Sequence, residues 1–136
     1  IDVDSSLSQL EQLIAEQASL GPLVVGGFSQ GGAMAQEMLQ LPLADRIIGV
    51  VAMGTRLVRE MELRIRLAEL EPKHLFWMHG EKDLRVSIQD GWAVAHVFES
   101  AGWAMELIEH PKGHMIPMEH HESLKEWLTA LSKIRL

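Results

Sequence analysis

The sequence predicts an α/β domain built on a parallel sheet, and three observations lead there. Short, nearly continuous apolar runs occur at "LVVGGF" (23–28), "RIIGVVAM" (46–53), "HLFWMHG" (74–80) and "WAMELIEH" (103–110). Such runs read as strands covered on both faces, as the strands of parallel sheets are. Segments of helical composition separate them, at a spacing that suits βαβ units. Glycine and proline punctuate the joints, at Gly21-Pro22, Pro42, Pro72 and Gly102.

Taken in order, residues 5–19 place Leu7, Leu10, Leu13 and Ile14 on one helical face, with Ser5 or Ser6 as cap and Gly21-Pro22 as stop. The run 23–28 is the first strand, and "QGGAMAQEMLQ" (30–40) is a helix that Pro42 ends. After the second strand, "TRLVREMELRIRLAELE" (55–71) is a charged helix ended by Pro72. It is read as a solvated crossover helix, with a mobile lid as the alternative. The third strand is followed by an amphipathic helix over 87–102, and the fourth by a helix over 118–134. That last helix gathers Leu124, Trp127, Leu128 and Leu131 on its apolar face. Right-handed crossovers are expected to put helices on both faces of the sheet, an α/β/α sandwich.

A length of 136 residues suits one domain with a single core. Apolar content of 47% with 23% charged residues is ordinary for a globular chain. The net charge of −7 argues against a nucleic-acid partner, since nothing would neutralise phosphates. With no cysteine, disulfides, thiolate metal sites and thiol catalysis are excluded. No apolar run is long enough to span a membrane, and "IDVDSSLSQL" has neither the basic nor the apolar region of a signal peptide. The expected location is therefore cytoplasmic. The chain begins with Ile1 instead of methionine, which fits a processed chain or a fragment.

The chemistry is expected where the first strand runs into a helix. "GFSQG" (27–31) fits the G-x-S-x-G nucleophile elbow, in which a strained turn lifts a serine out of the backbone. Residues without a Cβ relieve the crowding such a turn creates. The helix beginning there also points its N-terminal N–H groups at developing negative charge. A serine alcohol needs a base, and the base needs an acid to orient it. In this fold the order is serine, acid, histidine, each at the carboxyl end of a later strand. The third strand leads into "MHGEKDLRV", with Glu81 and Asp83, and the fourth into "EHPKGHMIP", with His110 and His114. Asp83 and His114 thus follow Ser29 in the required order.

"GGFSQGGAMA", "HGEKDLRVS" and "PKGHMIP" closely resemble the nucleophile, acid and histidine segments of the phospholipase/carboxylesterase family of α/β hydrolases. The resemblance covers essentially the whole chain. It implies a serine esterase or thioesterase with Ser29 as nucleophile, Asp83 as orienting carboxylate and His114 as general base. It further implies the Gln30 backbone N–H as an oxyanion donor, and no metal or cofactor. The implied substrates are small-molecule esters with short- to medium-chain acyl groups, with acylated proteins or lysophospholipids as the alternative.

The match begins partway through the family's fold, so residues 1–136 are expected to form one partial domain lacking the N-terminal strands and the loop that supplies the second oxyanion donor. The first strand would then be a bare sheet edge, to be covered by the missing half or by another copy. A catalytically incomplete half-domain is the non-enzymatic alternative. "VVAMGTRL" (50–57) departs from the family, which more often has Ser-Gly after this strand.

Several other residues have ordinary readings. His79 before Gly80 is taken as structural, Asp90 as part of a solvated helix face, and Glu81 as too early in its loop. His120 and His121, beside Glu119 and His114, are read as surface residues in place of a metal site, because neighbouring helical residues point apart. His96 and His110 are read as partly buried or surface groups. The eight methionines are read as core filler, with Met53, Met115 and Met118 as candidates to line an acyl pocket.

Overall fold

A computed structural model describes residues 21–134. The helix expected over 5–19 lies outside them. Four strands form one parallel sheet in the order β1-β2-β3-β4: β1 (Leu23–Phe28), β2 (Ile47–Met53), β3 (His74–Gly80) and β4 (Ala104–His110). Each matches an apolar run to within one residue. The connections carry α1 (Gln30–Met38) with a short 3-10 turn (Pro42–Arg46), α2 (Glu60–Glu69) and α3 (Ile88–Ser100), and α4 (Glu119–Ser132) closes the chain. Among the described residues no helix is long and apolar enough to cross a membrane.

The faces are covered unequally. Ala35 and Met38 of α1, Leu63 and Leu67 of α2, and Val94 and Phe98 of α3 pack with Val50, Leu75 and Trp77 into one large core. The other core is smaller: Val51, Met53, Phe76 and Met78, against Leu124 and Trp127 of α4. The monotonic strand order explains this, since crossovers of one hand advancing in one direction all land on the same face. Among the described residues only α4 lies on the second. Its Leu131 is buried, whereas Leu128 is 40% exposed, at the margin of the stripe expected for it.

Two further expectations are corrected. Every residue of β2 is buried, but β1 is not covered on both faces: Val24 and Gly26 are exposed. Among the described residues β1 pairs with β2 alone, so it is the sheet edge expected from the partial match to the family, and its apolar run does not mean cover on both faces. The helix expected over 55–71 begins only at Glu60. Tertiary bonds hold the preceding residues out of the helix, for Gln36 Nε2 donates to Arg56 O at 2.9 Å and Arg59 grips the buried Glu37 carboxylate with two nitrogens. Downstream, α2 is anchored: Leu63 and Leu67 are buried, and Arg66 Nε donates to Leu39 O at 2.7 Å.

Candidate active site

The carboxyl ends of all four strands lie along one edge of the sheet, and the loops leaving them begin in fixed positions. The ladder runs one residue past each strand: Ser29 N donates to Met53 O at 2.8 Å, Gly54 N to Met78 O at 2.9 Å, and Glu81 N to His110 O at 2.8 Å. The strands therefore set where the first residue of each loop stands.

Ser29 occupies the turn between β1 and α1 with φ 59° and ψ −115°. It is the only non-glycine residue with positive φ among the described residues. Such a conformation costs on the order of 1–3 kcal/mol and persists only where its surroundings impose it. The two flanking glycines differ in what they do. A Cβ on Gly27 would lie 2.8 Å from the backbone of Gly31, whereas a Cβ on Gly31 would meet nothing within 4 Å. Of these two glycines, only Gly27 is required by a close approach.

The acid loop and the histidine loop are tied together before either presents a side chain. Besides the Glu81 bond, Lys82 N donates to Lys112 O at 3.1 Å. His114 stands at the centre of a three-residue turn closed by Met115 N to Gly113 O at 2.9 Å. The turn aims the imidazole between the other two groups. His114 Nδ1 donates to Asp83 Oδ2 at 2.6 Å, and Nε2 lies 3.1 Å from Ser29 Oγ. Phe28 packs on the imidazole with ring centroids 4.5 Å apart.

Asp83 is fully enclosed at its side chain. Burial by itself would raise its carboxyl, but hydrogen bonds from Val86 N–H, His114 and Arg85 N–H outweigh it and hold the group below its ordinary value. An ionised Asp83 accepts from Nδ1–H, which leaves Nε2 unprotonated and facing the serine hydroxyl. Such a chain can move a proton from Ser29 Oγ to His114 while the carboxylate stabilises the imidazolium. Gln30 opens α1 directly beside Ser29, where the first N–H groups of a helix lack internal partners. The structure therefore brings together Ser29, Asp83 and His114. It leaves Glu81 and Asp90 exposed and His96 and His121 on the surface, and it half-buries His120.

His110 is more deeply buried than the partly buried or surface position expected for it: it is 1% exposed. Burial lowers its imidazole below the ordinary histidine value, with a hydrogen bond to the Met115 backbone opposing. His79 is equally buried, behind the acid loop. Its Nε2–H donates to Val86 O at 2.8 Å and lies 3.6 Å from Asp83 Oδ2, so this ring braces the turn that holds the carboxylate. Nδ1 rests against Gly91, where a Cβ would come within 2.3 Å. A glycine in the first turns of α3, at a cost of about 1 kcal/mol relative to alanine, is the sequence signal for this packing.

An open cavity of about 600 Å3 adjoins the serine, lined among others by Ser29, Gln30, Arg56, Leu57, Val58 and Arg85. Met53, Met115 and Met118 do not line it; Met53 is core and Met118 is exposed. The pocket wall comes instead from residues 54–58, most of them in the segment expected to be helical.

Comparison with known proteins identifies the family and the fold. The phospholipase/carboxylesterase family profile matches residues 2–132. Acyl-protein thioesterase 1 of Neurospora crassa is 29% identical over 115 residues, covering 79% of this chain and 45% of its own length. Among solved structures, Arabidopsis thaliana SOBER1 superposes with TM-score 0.77 at 21% identity, over 96% of this chain and 63% of that one. Zea mays acyl-protein thioesterase 2 gives TM-score 0.78 at 22% identity over 95% and 64%, and the Bacillus cereus carboxylesterase 0.75 at 19% over 96% and 62%. The chain spans less than half the length of the curated relative and under two thirds of these structures. The chain belongs to the phospholipase/carboxylesterase family and shares its α/β-hydrolase fold.

Proposed function

We propose that the protein containing this chain is a serine carboxylesterase acting on short- to medium-chain acyl esters. Ser29 is the nucleophile, His114 the general base and Asp83 the carboxylate that orients it. The observation that carries the reading is the continuous contact from Ser29 Oγ through His114 to Asp83, at 3.1 and 2.6 Å. Ser29 Oγ attacks the acyl carbonyl as its proton passes to His114 Nε2. The oxyanion takes a hydrogen bond from the Gln30 N–H at the start of α1. Collapse of the tetrahedral species expels the alcohol, which leaves with the proton from His114. Water, deprotonated by His114, then cleaves the acyl-enzyme and restores Ser29.

The same residues would serve an acyl-protein thioesterase, with a thiol as leaving group. The Neurospora crassa relative of that name favours this as the second reading. In either case residues 1–136 form one partial domain. The edge position of β1 and the exposure of Val24 support a covering segment there, either further strands of the same protein or a second copy. Such a segment would also carry a second oxyanion donor. The reaction is tested with 4-nitrophenyl butyrate in rapid mixing. One equivalent of nitrophenolate per site should be released in a burst, and Ser29→Ala should abolish it. An unchanged burst in that variant refutes the assignment.

A further inference from the structure

Among the described residues, the cavity beside Ser29 is lined by two arginines and no acidic residue, in a chain with 19 Asp and Glu against 12 Lys and Arg. Arg56, in the β2–α2 loop, and Arg85, in the acid loop, both belong to its wall and are exposed. Both backbones are held by buried side chains: Arg56 O accepts from Gln36 Nε2 at 2.9 Å, and Arg85 N donates to Asp83 Oδ1 at 2.8 Å. Arg59, Arg64 and Arg66 each engage a carboxylate. The guanidinium groups of Arg56 and Arg85 have neither ion pair nor hydrogen bond among the described residues. Two exposed arginines of the cavity wall are thus rooted at their backbones by the same bonds that build the site, and their guanidinium donors are uncommitted among the described residues.

We propose that Arg56 and Arg85 form an anion subsite, so that the preferred ester carries an oxyanion, a carboxylate or phosphate, beside its scissile carbonyl. This rests on the esterase reading above. The planar guanidinium fork suits either group and can bind it through two parallel hydrogen bonds. A local positive field in a protein of net charge −7 also draws such a substrate to this opening in preference to the rest of the surface. Leu57, Val58 and Ala33 supply apolar wall for the remainder of the ligand.

The test uses the intact protein and reads the ratio of kcat/KM for an anionic ester to that for a matched neutral one. One arm compares 4-nitrophenyl hemiglutarate with 4-nitrophenyl valerate, placing a carboxylate on the acyl side. The other compares a monoacylglycerol phosphate with the corresponding monoacylglycerol, placing a phosphate on the alcohol side. In at least one arm the ratio should fall about fivefold in Arg56→Gln and in Arg85→Gln, and further in the double variant. The arm that responds identifies the source of the anion. Raising NaCl to about 0.5 M should depress the wild-type ratio and leave that of the double variant alone. Ratios unchanged in both arms, with neutral esters still cleaved, overturn the subsite and leave the esterase reading standing. If no ester is cleaved, the esterase reading is what fails. The subsite is then judged by NMR titration of the arginine Nε–H signals with glutarate and with inorganic phosphate. Saturable shifts absent from the double variant support it, and their absence in the wild type overturns it.

Discussion

Replacing Asp83 by asparagine exchanges one oxygen for an amide nitrogen where both carboxylate oxygens are committed. Oδ1 accepts from the N–H groups of Arg85 and Val86, at 2.8 and 2.9 Å, and Oδ2 from His114 Nδ1 at 2.6 Å. Only the asparagine carbonyl can accept the two backbone donors, so the NH2 is turned toward His114. Nδ1 must then act as acceptor, and the imidazole proton moves to Nε2. The nitrogen that faces Ser29 Oγ at 3.1 Å becomes a donor and can no longer take the serine proton. A wrong tautomer of this kind costs about 10⁴ in kcat, or about 5.5 kcal/mol of barrier. KM should change little, because the cavity walls are untouched. Retention of both backbone bonds limits the stability loss to about 1 kcal/mol. Steady-state hydrolysis of 4-nitrophenyl butyrate, with a thermal melt as folding control, measures both. A folded Asp83→Asn protein whose kcat stays within about tenfold of wild type would refute the role given to Asp83.

The flanking glycines should separate in a melt: Gly27→Ala loses about 1–3 kcal/mol by forcing a methyl into the Gly31 backbone, while Gly31→Ala is neutral or gains up to about 1 kcal/mol of helix propensity. Equal losses would show that the elbow is not built as described. His110 and Asp83 should shape acid stability in different windows, since both are depressed in the native state and the unfolded chain binds their protons first. The His110 contribution is present above its unfolded value near 6.5 and is lost as pH falls below it toward the native value. The Asp83 contribution is lost only below 3.8. Urea unfolding from pH 7.5 to 3 should therefore show a shallower decline below pH 6.5 in His110→Gln than in wild type. Parallel curves would contradict the buried, uncharged His110.

What can be read from the chain follows from how local each signal is. The strands stand out because burial in a parallel sheet demands unbroken apolar runs, and Ser29, Asp83 and His114 follow because the fold dictates the order of the loops. The start of α2 is not legible, because residues 55–59 have helical composition but are held by Gln36 and Glu37, which lie about twenty residues away. The burial of His110 and the bracing by His79 depend on which loop folds over which, and periodicity does not encode that. The same holds for the two cavity arginines. In sequence they are ordinary surface cations, and only the tertiary arrangement of two separate loops sets them beside the serine.

The central claim is that Ser29 is a nucleophile activated by His114. A fluorophosphonate probe with intact-mass and peptide mapping tests it most directly. The account predicts one adduct, on Ser29, absent in Ser29→Ala and formed far more slowly in His114→Ala. Labelling elsewhere, or equal labelling of Ser29 with and without His114, would contradict it.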